Sequence, residues 1–231
     1  MNQKLLIHTA SLYYFFKDYE AHLEDRIRIA LDAGLDGVEI SNGPSILNWQ
    51  PSVGIISRLQ DKTVTLHAEI GPAFGCDLRT WVDAVSKLPF EISNAVFHPD
   101  ELQPAEFSEL PKLPFPASLE NLDSRAPQWG KVNQLNHYGV PITFDTAHAE
   151  ENKYTPPKDF EPIEVHLSIA NDNYYNSFAT RHALVHFRPD RLPYVPRSSL
   201  ITLEGVFPPD VKYLDREISY VKKELGVYCY A

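Results

Sequence analysis

The chain has 231 residues, of which 43% are hydrophobic, and this composition supports one sizeable core and argues against disorder. Its 21 basic and 31 acidic side chains give a formal charge of −10, so the molecular field repels polyanions and disfavours a nucleic-acid partner. Cys76 and Cys229 are its two cysteines and lie far apart, which argues against a disulfide framework or a cysteine-based zinc site and fits a reducing cytoplasm. No stretch reaches the ~18 apolar residues of a membrane helix, and His8, Thr9 and Ser11 interrupt the apolar N-terminal run, so no signal peptide is expected.

Short β-rich runs alternate along the chain with amphipathic or irregular segments. In chain order the predicted elements are a strand at 5–10, a helix at 19–34, a strand at 37–41, a short helix at 49–60, a strand at 63–69, a helix at 78–88, strands at 94–100, 116–122, 141–148, 163–170 and 199–206, and a helix at 210–226. Gly34 is placed to end the first helix.

Eight strands that alternate with helices or irregular crossovers indicate a parallel sheet, and eight such units predict a closed barrel. The expected fold is therefore a compact (β/α)8 TIM barrel, a single domain over 1–231, with some outer helices short or missing. The crossovers 149–162 and 171–198 show no convincing helical pattern. A long loop in a compact barrel usually lines the functional face.

The later part of each predicted strand carries a histidine or an acid, and the active site of a TIM barrel lies at this end of the strands. These residues are His8, Glu39, His67, His98, Glu120, Asp145 with His148, His166 and Glu204. A barrel mouth gathers such residues into one ring. Carboxylates and imidazoles that converge without cysteine are typical ligands of a divalent cation such as zinc, manganese, cobalt or magnesium.

Glu120 in "SLENL" and Glu204 in "TLEGV" are flanked by apolar residues that should be buried. An unpaired buried carboxylate costs several kcal/mol, so a cation must compensate it. The predicted strands contain no lysine that could serve, so we expect a metal, with Asp145, His148 and His166 beside it.

Other candidates also have a structural interpretation, which is the commoner one for a lone strand-end histidine and for a single aromatic residue. His8 could be a hydrogen-bonded strand-end residue, and Glu39 could hold the barrel together. The aromatic residues Tyr13, Tyr14, Trp49 and Phe74 could pack on a ligand or simply belong to the core or rim. His182 and His186 stand in a loop whose path the sequence does not define, and His22 and His137 are expected on the surface.

An ordered set of motifs carries a resemblance to a known family. "LDAGLDGVEIS", "TLHAE", "VFHPDE", "LEN", "FDTAHA", "VHLS", "TRHALV" and "LEG" together resemble the xylose isomerase-like TIM-barrel superfamily. That superfamily contains sugar isomerases and epimerases and the endonuclease IV type of AP endonuclease. The resemblance spans nearly the whole chain, and none of its motifs specifies a substrate.

The resemblance implies specific roles for residues of this chain. The single-metal epimerases of the superfamily bind their ion through residues that match Glu120, Asp145, His166 and Glu204. By the same resemblance, Glu120 and Glu204 would also transfer protons, and His148 would contact substrate. Further substrate-binding candidates are Arg181, His8, Glu39 and Trp49.

The trinuclear zinc nucleases of the superfamily use additional histidines, which His67, His98 and His182 match here, and His148 is then a ligand. They also require an aspartate two residues before the last histidine, where this chain has Thr180. One or two metal ions are therefore expected rather than three.

Three functions remain open at this point. The first is a metal-dependent isomerase or epimerase that moves a proton through an enediolate of a sugar or sugar phosphate. The second is a zinc-dependent phosphoester hydrolase of the AP endonuclease type, which the charge of −10 disfavours. The third is a metal-binding barrel without catalytic activity. A small sugar is the expected partner.

Overall fold

The computed structural model describes residues 3–16, 20–41, 43–170, 182–190 and 192–226. Its strands are β1 (Lys4–His8), β2 (Gly37–Ile40), β3 (Thr63–His67), β4 (Asn94–Phe97), β5 (Ala117–Glu120), β6 (Ile142–Asp145), β7 (Glu164–Leu167), β8 (Ile169–Ala170), β9 (His182–Ala183) and β10 (Leu200–Leu203). Its α-helices are α1 (Leu23–Asp32), α2 (Val53–Leu59), α3 (Leu78–Val85), α4 (Val132–Leu135), α5 (Thr146–Glu151) and α6 (Val211–Leu225). Short 3-10 segments join several of these elements.

Eight of the strands form a closed barrel in the order β1-β10-β7-β6-β5-β4-β3-β2, and neighbouring strands run parallel. This confirms the predicted (β/α)8 fold with short outer helices. Each of the eight predicted strands overlaps one barrel strand, β1 beginning one residue before its predicted start, and the observed strands are shorter than predicted. β8 and β9 form a separate antiparallel pair, in which Ala170 lies opposite His182.

Successive side chains along a strand point to opposite faces, and this alternation divides the barrel into two environments. The outward residues are apolar and pack under the helices, as Val64 and Leu66 of β3 and Val165 and Leu167 of β7 do. The inward residues of the same strands are polar. The hydrophobic core therefore lies between the barrel and its helices, while most inward side chains of the barrel strands are polar.

Local signals place the helices that cover the barrel. Helix α3 begins where the Asp77 side chain accepts a hydrogen bond from the Thr80 N–H at 2.7 Å, and it buries Leu78, Trp81 and Val85. Helix α1 ends at Asp32, and Gly34 follows with a φ of +76°, a conformation that favours glycine at the end of a helix.

Two predictions about local structure are wrong. The predicted strand at 141–148 ends at Asp145, because the Asp145 side chain accepts a hydrogen bond from the His148 N–H and so begins helix α5. Helix α5 also extends into the crossover that showed no helical pattern. The short helix α4 was not predicted. None of the described helices combines the length and apolar character needed to cross a bilayer.

Candidate metal centre

The barrel brings the predicted polar residues to one rim. His8, His67, Glu120 and Asp145 are the last residues of their strands β1, β3, β5 and β6. His98 and Glu204 directly follow β4 and β10, and Glu39 and His166 are the penultimate residues of β2 and β7. Because parallel strands end at the same edge, these side chains meet although up to 196 positions separate them in the sequence.

Four of these residues form a compact group that could hold a metal ion. Glu120, Asp145, His166 and Glu204 each offer a ligand atom, and these four atoms lie within 4.8 Å of one another. His166 Nδ1 is 3.5 Å from Glu120 Oε2 and 3.5 Å from Glu204 Oε2. The structure therefore groups the four residues that match the ligand set of the single-metal epimerases.

The group passes a test of fit that does not depend on any resemblance. Each member has a buried polar atom without a hydrogen-bond partner among the described residues, namely Glu120 Oε1, Asp145 Oδ2, His166 Nδ1 and Glu204 Oε2. Such atoms are costly to leave unpaired, and a divalent cation would satisfy them together. Three carboxylates and one imidazole suit manganese, zinc, cobalt or magnesium.

Ion-pair partners of the carboxylates strengthen this interpretation. In the part of the chain that the structure describes, the ion pairs of Glu39, Glu120, Asp145 and Glu204 all involve histidines. Neutral imidazoles are metal ligands, whereas an arginine would have occupied the carboxylates permanently.

Glu120 also belongs to a second group, with His67 and His98. Glu120 Oε2 lies 3.3 Å from His67 Nε2 and 3.4 Å from His98 Nε2. His98 is less enclosed, because 27% of its side chain is exposed, and its Nδ1 is 3.4 Å from Glu101 Oε1. Glu120 can thus serve as a ligand shared between two adjacent ions.

His148 stands on the first turn of helix α5 and faces the cavity at the mouth. Its Nδ1 is 2.8 Å from the Asn121 carbonyl oxygen, so the proton is assigned to Nδ1, which donates this bond. The same nitrogen is 3.2 Å from Glu120 Oε1. This hydrogen bond leaves Nε2 as the nitrogen available to substrate or metal.

His182 reaches the site, which the sequence alone left open. It lies on β9, with Nδ1 2.9 Å from the Ser168 hydroxyl oxygen, 3.6 Å from Glu204 Oε2 and 3.8 Å from Asp145 Oδ2. With Asp145 and His148 it forms a third group of potential ligands. Arg181 and Thr180 lie outside the described residues.

His186 does not join the ring. It lies on the 3-10 segment Val185–Phe187, and its Nδ1 contacts the Glu217 carboxylate of helix α6 at 2.5 Å. His137 is exposed, and 41% of the His22 side chain is exposed beside Asp25, as expected for surface residues.

The carboxyl groups of the ring differ in their protonation. Burial raises the pKa of Asp145 to about 7, and the neighbouring Glu204 carboxylate adds to this effect against that of His148. Burial also disfavours the ionised form of Glu39, but His166 outweighs it and lowers the Glu39 pKa to about 2. For Glu120 burial is outweighed by His166 and His98, which hold its pKa well below the usual range. The site therefore combines firmly ionised carboxylates with one that takes a proton readily.

The ring histidines also fall into two groups, one with a lowered and one with a raised pKa. Burial lowers the pKa of His8 to about 3 and that of His182 to about 4, so both are neutral at pH 7. Burial also acts to lower the pKa of His148 and His166, but nearby carboxylates outweigh it. They raise the His148 pKa to about 10 and the His166 pKa well above its usual value.

A cavity of about 560 Å³ opens above the ring. The ring histidines His8, His67, His98, His148 and His182 line it, together with Glu204. Its size suits a small molecule, and its walls are polar.

The structure places two predicted substrate-binding residues outside this lining. Glu39 is fully buried below His166, with Oε2 2.9 Å from His166 Nε2. Trp49 packs against Phe90 and lines a separate cavity between 47–51 and 84–89. Their contact with substrate stays a prediction. Tyr13, Tyr14 and Phe74 are likewise absent from the described lining.

Sequence reasoning missed two features of the site. The Asn121 side chain ties β5 to β6, because its Nδ2 donates to the Asp145 carbonyl at 3.1 Å and its Oδ1 accepts from the Asp145 N–H at 2.9 Å. Below the ring lies a second polar layer inside the barrel, made of Thr65, Asn94, Ser118, Thr143, Glu164 and Thr202. The sequence contains a signal for this layer, since five of its six residues stand two positions before a ring residue.

Comparisons with known proteins add the following. No family model matches the chain, and no curated protein matches it. A solved structure of an L-ribulose 3-epimerase is similar over 94% of this chain and 86% of that chain, with 10% identity and a TM-score of 0.47. The geometry of the site alone therefore carries the functional proposal.

Proposed function

We propose that the chain is a divalent-metal-dependent isomerase or epimerase that acts on a hydroxyketone sugar or sugar phosphate. The observation that carries the proposal is the placement of Glu120 and Glu204 around one imidazole nitrogen. The two carboxylates come from β5 and β10, which β6 and β7 separate in the barrel, and each has Oε2 3.5 Å from His166 Nδ1. They approach the candidate metal position from different sides.

This arrangement suits proton transfer at carbon. A divalent cation at the site would polarise the carbonyl and stabilise the negative charge that develops when the adjacent carbon loses its proton. One of the two carboxylates can remove a proton from one face of that carbon, and the other can return a proton to the opposite face. His148, which lines the cavity and has its Nδ1 bound to the Asn121 carbonyl, would hold a substrate oxygen through Nε2.

The charge of the cavity favours a small polyol over a polyanion. Its described lining contains five carboxylates, those of Glu69, Asp100, Glu101, Asp123 and Glu204. The one lysine or arginine in the described lining is Arg125, which is bound to Asp123 through three hydrogen bonds between their side chains. A nucleic-acid backbone draws much of its binding energy from basic side chains, and the described lining offers only Arg125.

A second function, metal-dependent phosphoester hydrolysis, is favoured by the group of His67, His98 and Glu120. Glu120 Oε2 lies within 3.5 Å of a nitrogen of His67, His98 and His166. A carboxylate in that position could bridge two ions, and two adjacent ions are the usual arrangement for in-line displacement at phosphorus.

Two measurements distinguish these functions. Protein purified without chelator is analysed for metal, and it is then incubated in D2O with a panel of ketopentoses, ketohexoses and their phosphates. Loss of the proton signal next to the carbonyl supports the isomerase or epimerase. Nicking of an abasic plasmid without exchange supports the hydrolase, and neither reaction in the metal-loaded protein contradicts both.

A pair of matched variants tests whether the activity belongs to this site. Glu120→Gln should abolish the exchange reaction, since it removes a ligand and a proton carrier together. Glu109→Gln is the control, because Glu109 is an exposed acid outside the cavity lining that pairs with Lys112. Exchange that persists in Glu120→Gln contradicts the proposal.

A further inference from the structure

The two nitrogens of His166 have different environments. Nε2 lies 2.9 Å from Glu39 Oε2 on the interior side of the ring. Nδ1 has no hydrogen-bond partner among the described residues and lies 3.5 Å from both Glu120 Oε2 and Glu204 Oε2. Because His166 is fully buried, its ring cannot exchange these contacts for water.

Glu39 is placed to act on His166 and not on a ligand in the cavity. It is fully buried and does not line the cavity. Its ion-pair partners within the described residues are His166 and His8, with His8 Nε2 3.7 Å from Glu39 Oε1. The Thr65 hydroxyl is 3.3 Å from Glu39 Oε2 and can donate to it.

We propose that Glu39 is a positioning residue that keeps the proton of His166 on Nε2, so that Nδ1 is the nitrogen that binds metal. This inference rests on the metal site of the proposed function. A carboxylate that accepts a hydrogen bond from a ligating imidazole fixes its tautomer and orientation and increases its basicity. The hydrogen bond joins β2 to β7, which β1 and β10 separate in the barrel, and sets the direction in which Nδ1 points.

The second polar layer supports Glu39 from below. Thr65 Oγ1 is 3.3 Å from Glu39 Oε2 and equally 3.3 Å from Glu164 Oε1. Glu164 is held by Asn94 Nδ2 at 2.8 Å and by the Thr202 hydroxyl at 2.5 Å. Glu164 therefore provides a matched control: it is a second fully buried carboxyl of the barrel interior, and its described hydrogen-bond partners are hydroxyl and amide groups.

The experiment compares Glu39→Gln with Glu164→Gln. Zinc and manganese affinities are measured by competition with a fluorescent chelator, and circular dichroism and thermal unfolding verify that each variant is folded. Glu39→Gln should weaken metal binding by about 10- to 100-fold, the range typical of such outer carboxylates. Glu164→Gln should stay within about 3-fold of the wild type, because its groups do not touch a ligand.

A spectroscopic measurement on the wild type does not depend on any variant. Long-range ¹H–¹⁵N correlation spectra of the zinc-loaded protein report which nitrogen of His166 carries the proton. We expect a protonated Nε2 and a metal-bound Nδ1. A metal-bound Nε2, or metal affinity of Glu39→Gln equal to that of the wild type, would overturn the inference.

The outcomes separate this inference from the proposed function. Wild-type protein that binds no divalent metal overturns the metal site, and the role of Glu39 with it. Metal binding without proton exchange contradicts the isomerase or epimerase function. The metal affinities of Glu39→Gln and Glu164→Gln still test the role of Glu39 in that case. If the wild type shows exchange activity and Glu39→Gln binds metal as tightly as the wild type, only the proposed role of Glu39 is contradicted.

Discussion

Asn121 and Asp145 exchange two hydrogen bonds between one side chain and one backbone unit, and this pair joins the ends of β5 and β6. The Asn121 carbonyl also accepts from His148 Nδ1. One residue therefore fixes the relative positions of Glu120, Asp145 and His148, three of the groups that could bind metal or substrate.

Replacement of Asn121 should damage both stability and the site. Asn121→Ala removes both hydrogen bonds to the buried backbone of Asp145, so the free energy of unfolding should fall by roughly 1–3 kcal/mol. Urea denaturation of the chelator-treated protein measures this loss. Asn133→Ala on the exposed side of helix α4 is the control and should change stability by less than about 0.5 kcal/mol. An unchanged unfolding midpoint for Asn121→Ala would show that the two hydrogen bonds do not hold the strand ends together.

Removal of the shared carboxylate should have the largest effect on metal binding. Glu120→Ala takes a ligand from both the four-residue group and the group with His67 and His98. We expect the purified variant to contain no bound divalent metal and to show no activity. Elemental analysis after gel filtration decides this. Metal content equal to that of the wild type would exclude Glu120 from the site.

His98→Ala tests whether the second group holds an ion of its own. His98 belongs to the group with His67 and Glu120 but not to the four-residue group. The variant should therefore keep about one ion per chain at the four-residue site, and any second ion seen in the wild type should be lost. Isothermal titration with zinc gives the stoichiometry. Loss of all metal would show that the two groups bind as one unit.

The acid stability of the chain should depend on Asp123. Burial disfavours its ionised form, but hydrogen bonds from Arg125 outweigh this effect and lower the Asp123 pKa from 3.8 to about 2. A depressed carboxyl pKa stabilises the fold above the unfolded value, and this contribution is lost as the pH falls from about 4 toward 2.

The difference in unfolding free energy between the wild type and Asp123→Asn should thus be constant at neutral pH. It should be roughly 1 kcal/mol there, since solvent screens the exposed Arg125, and should shrink below about pH 4. Urea unfolding of the chelator-treated proteins between pH 3 and pH 7 measures it. A difference that grows as the pH falls would contradict the assigned direction.

Glu217 anchors the segment that follows His182. Its carboxylate, which is 1% exposed, accepts from the Val185 N–H at 2.6 Å, from the His186 N–H at 3.0 Å and from His186 Nδ1. Glu217→Ala should reduce the unfolding free energy by about 3 kcal/mol, because the buried Val185 N–H and two partly buried donors of His186 lose their acceptor. Hydrogen exchange at the Val185 and His186 amides should accelerate even under native conditions. Unchanged protection of both amides would argue that other contacts hold the segment.

Much of the fold was accessible from the sequence because each strand combines an apolar outer face with a polar inner end. In "PITFDTAH" the apolar run and the acid together predict both a strand and a place at the rim. The helix that begins at Thr146 was hidden by the same string, since only the capping hydrogen bond of Asp145 separates strand from helix there.

The roles of individual ring residues were less accessible. Glu39 and His166 are 127 positions apart, and their hydrogen bond depends on the register of four consecutive strands around the barrel. The position of His182 depends on its pairing opposite Ala170, which no local sequence pattern predicts. Trp49 appeared close to the rim in the sequence, yet its ring packs against Phe90, outside the described lining of the cavity.

The second polar layer inside the barrel also limits how far substitutions can increase the thermal stability of this protein. Hydroxyl, amide and carboxyl groups at Thr65, Asn94, Thr143 and Glu164 fill a space where branched aliphatic side chains would pack more favourably. Replacement of the whole layer by aliphatic side chains should raise the melting temperature, but it would also remove the Thr65 hydroxyl that donates to Glu39. Substitutions in this layer that increase thermal stability are therefore expected to reduce catalytic activity.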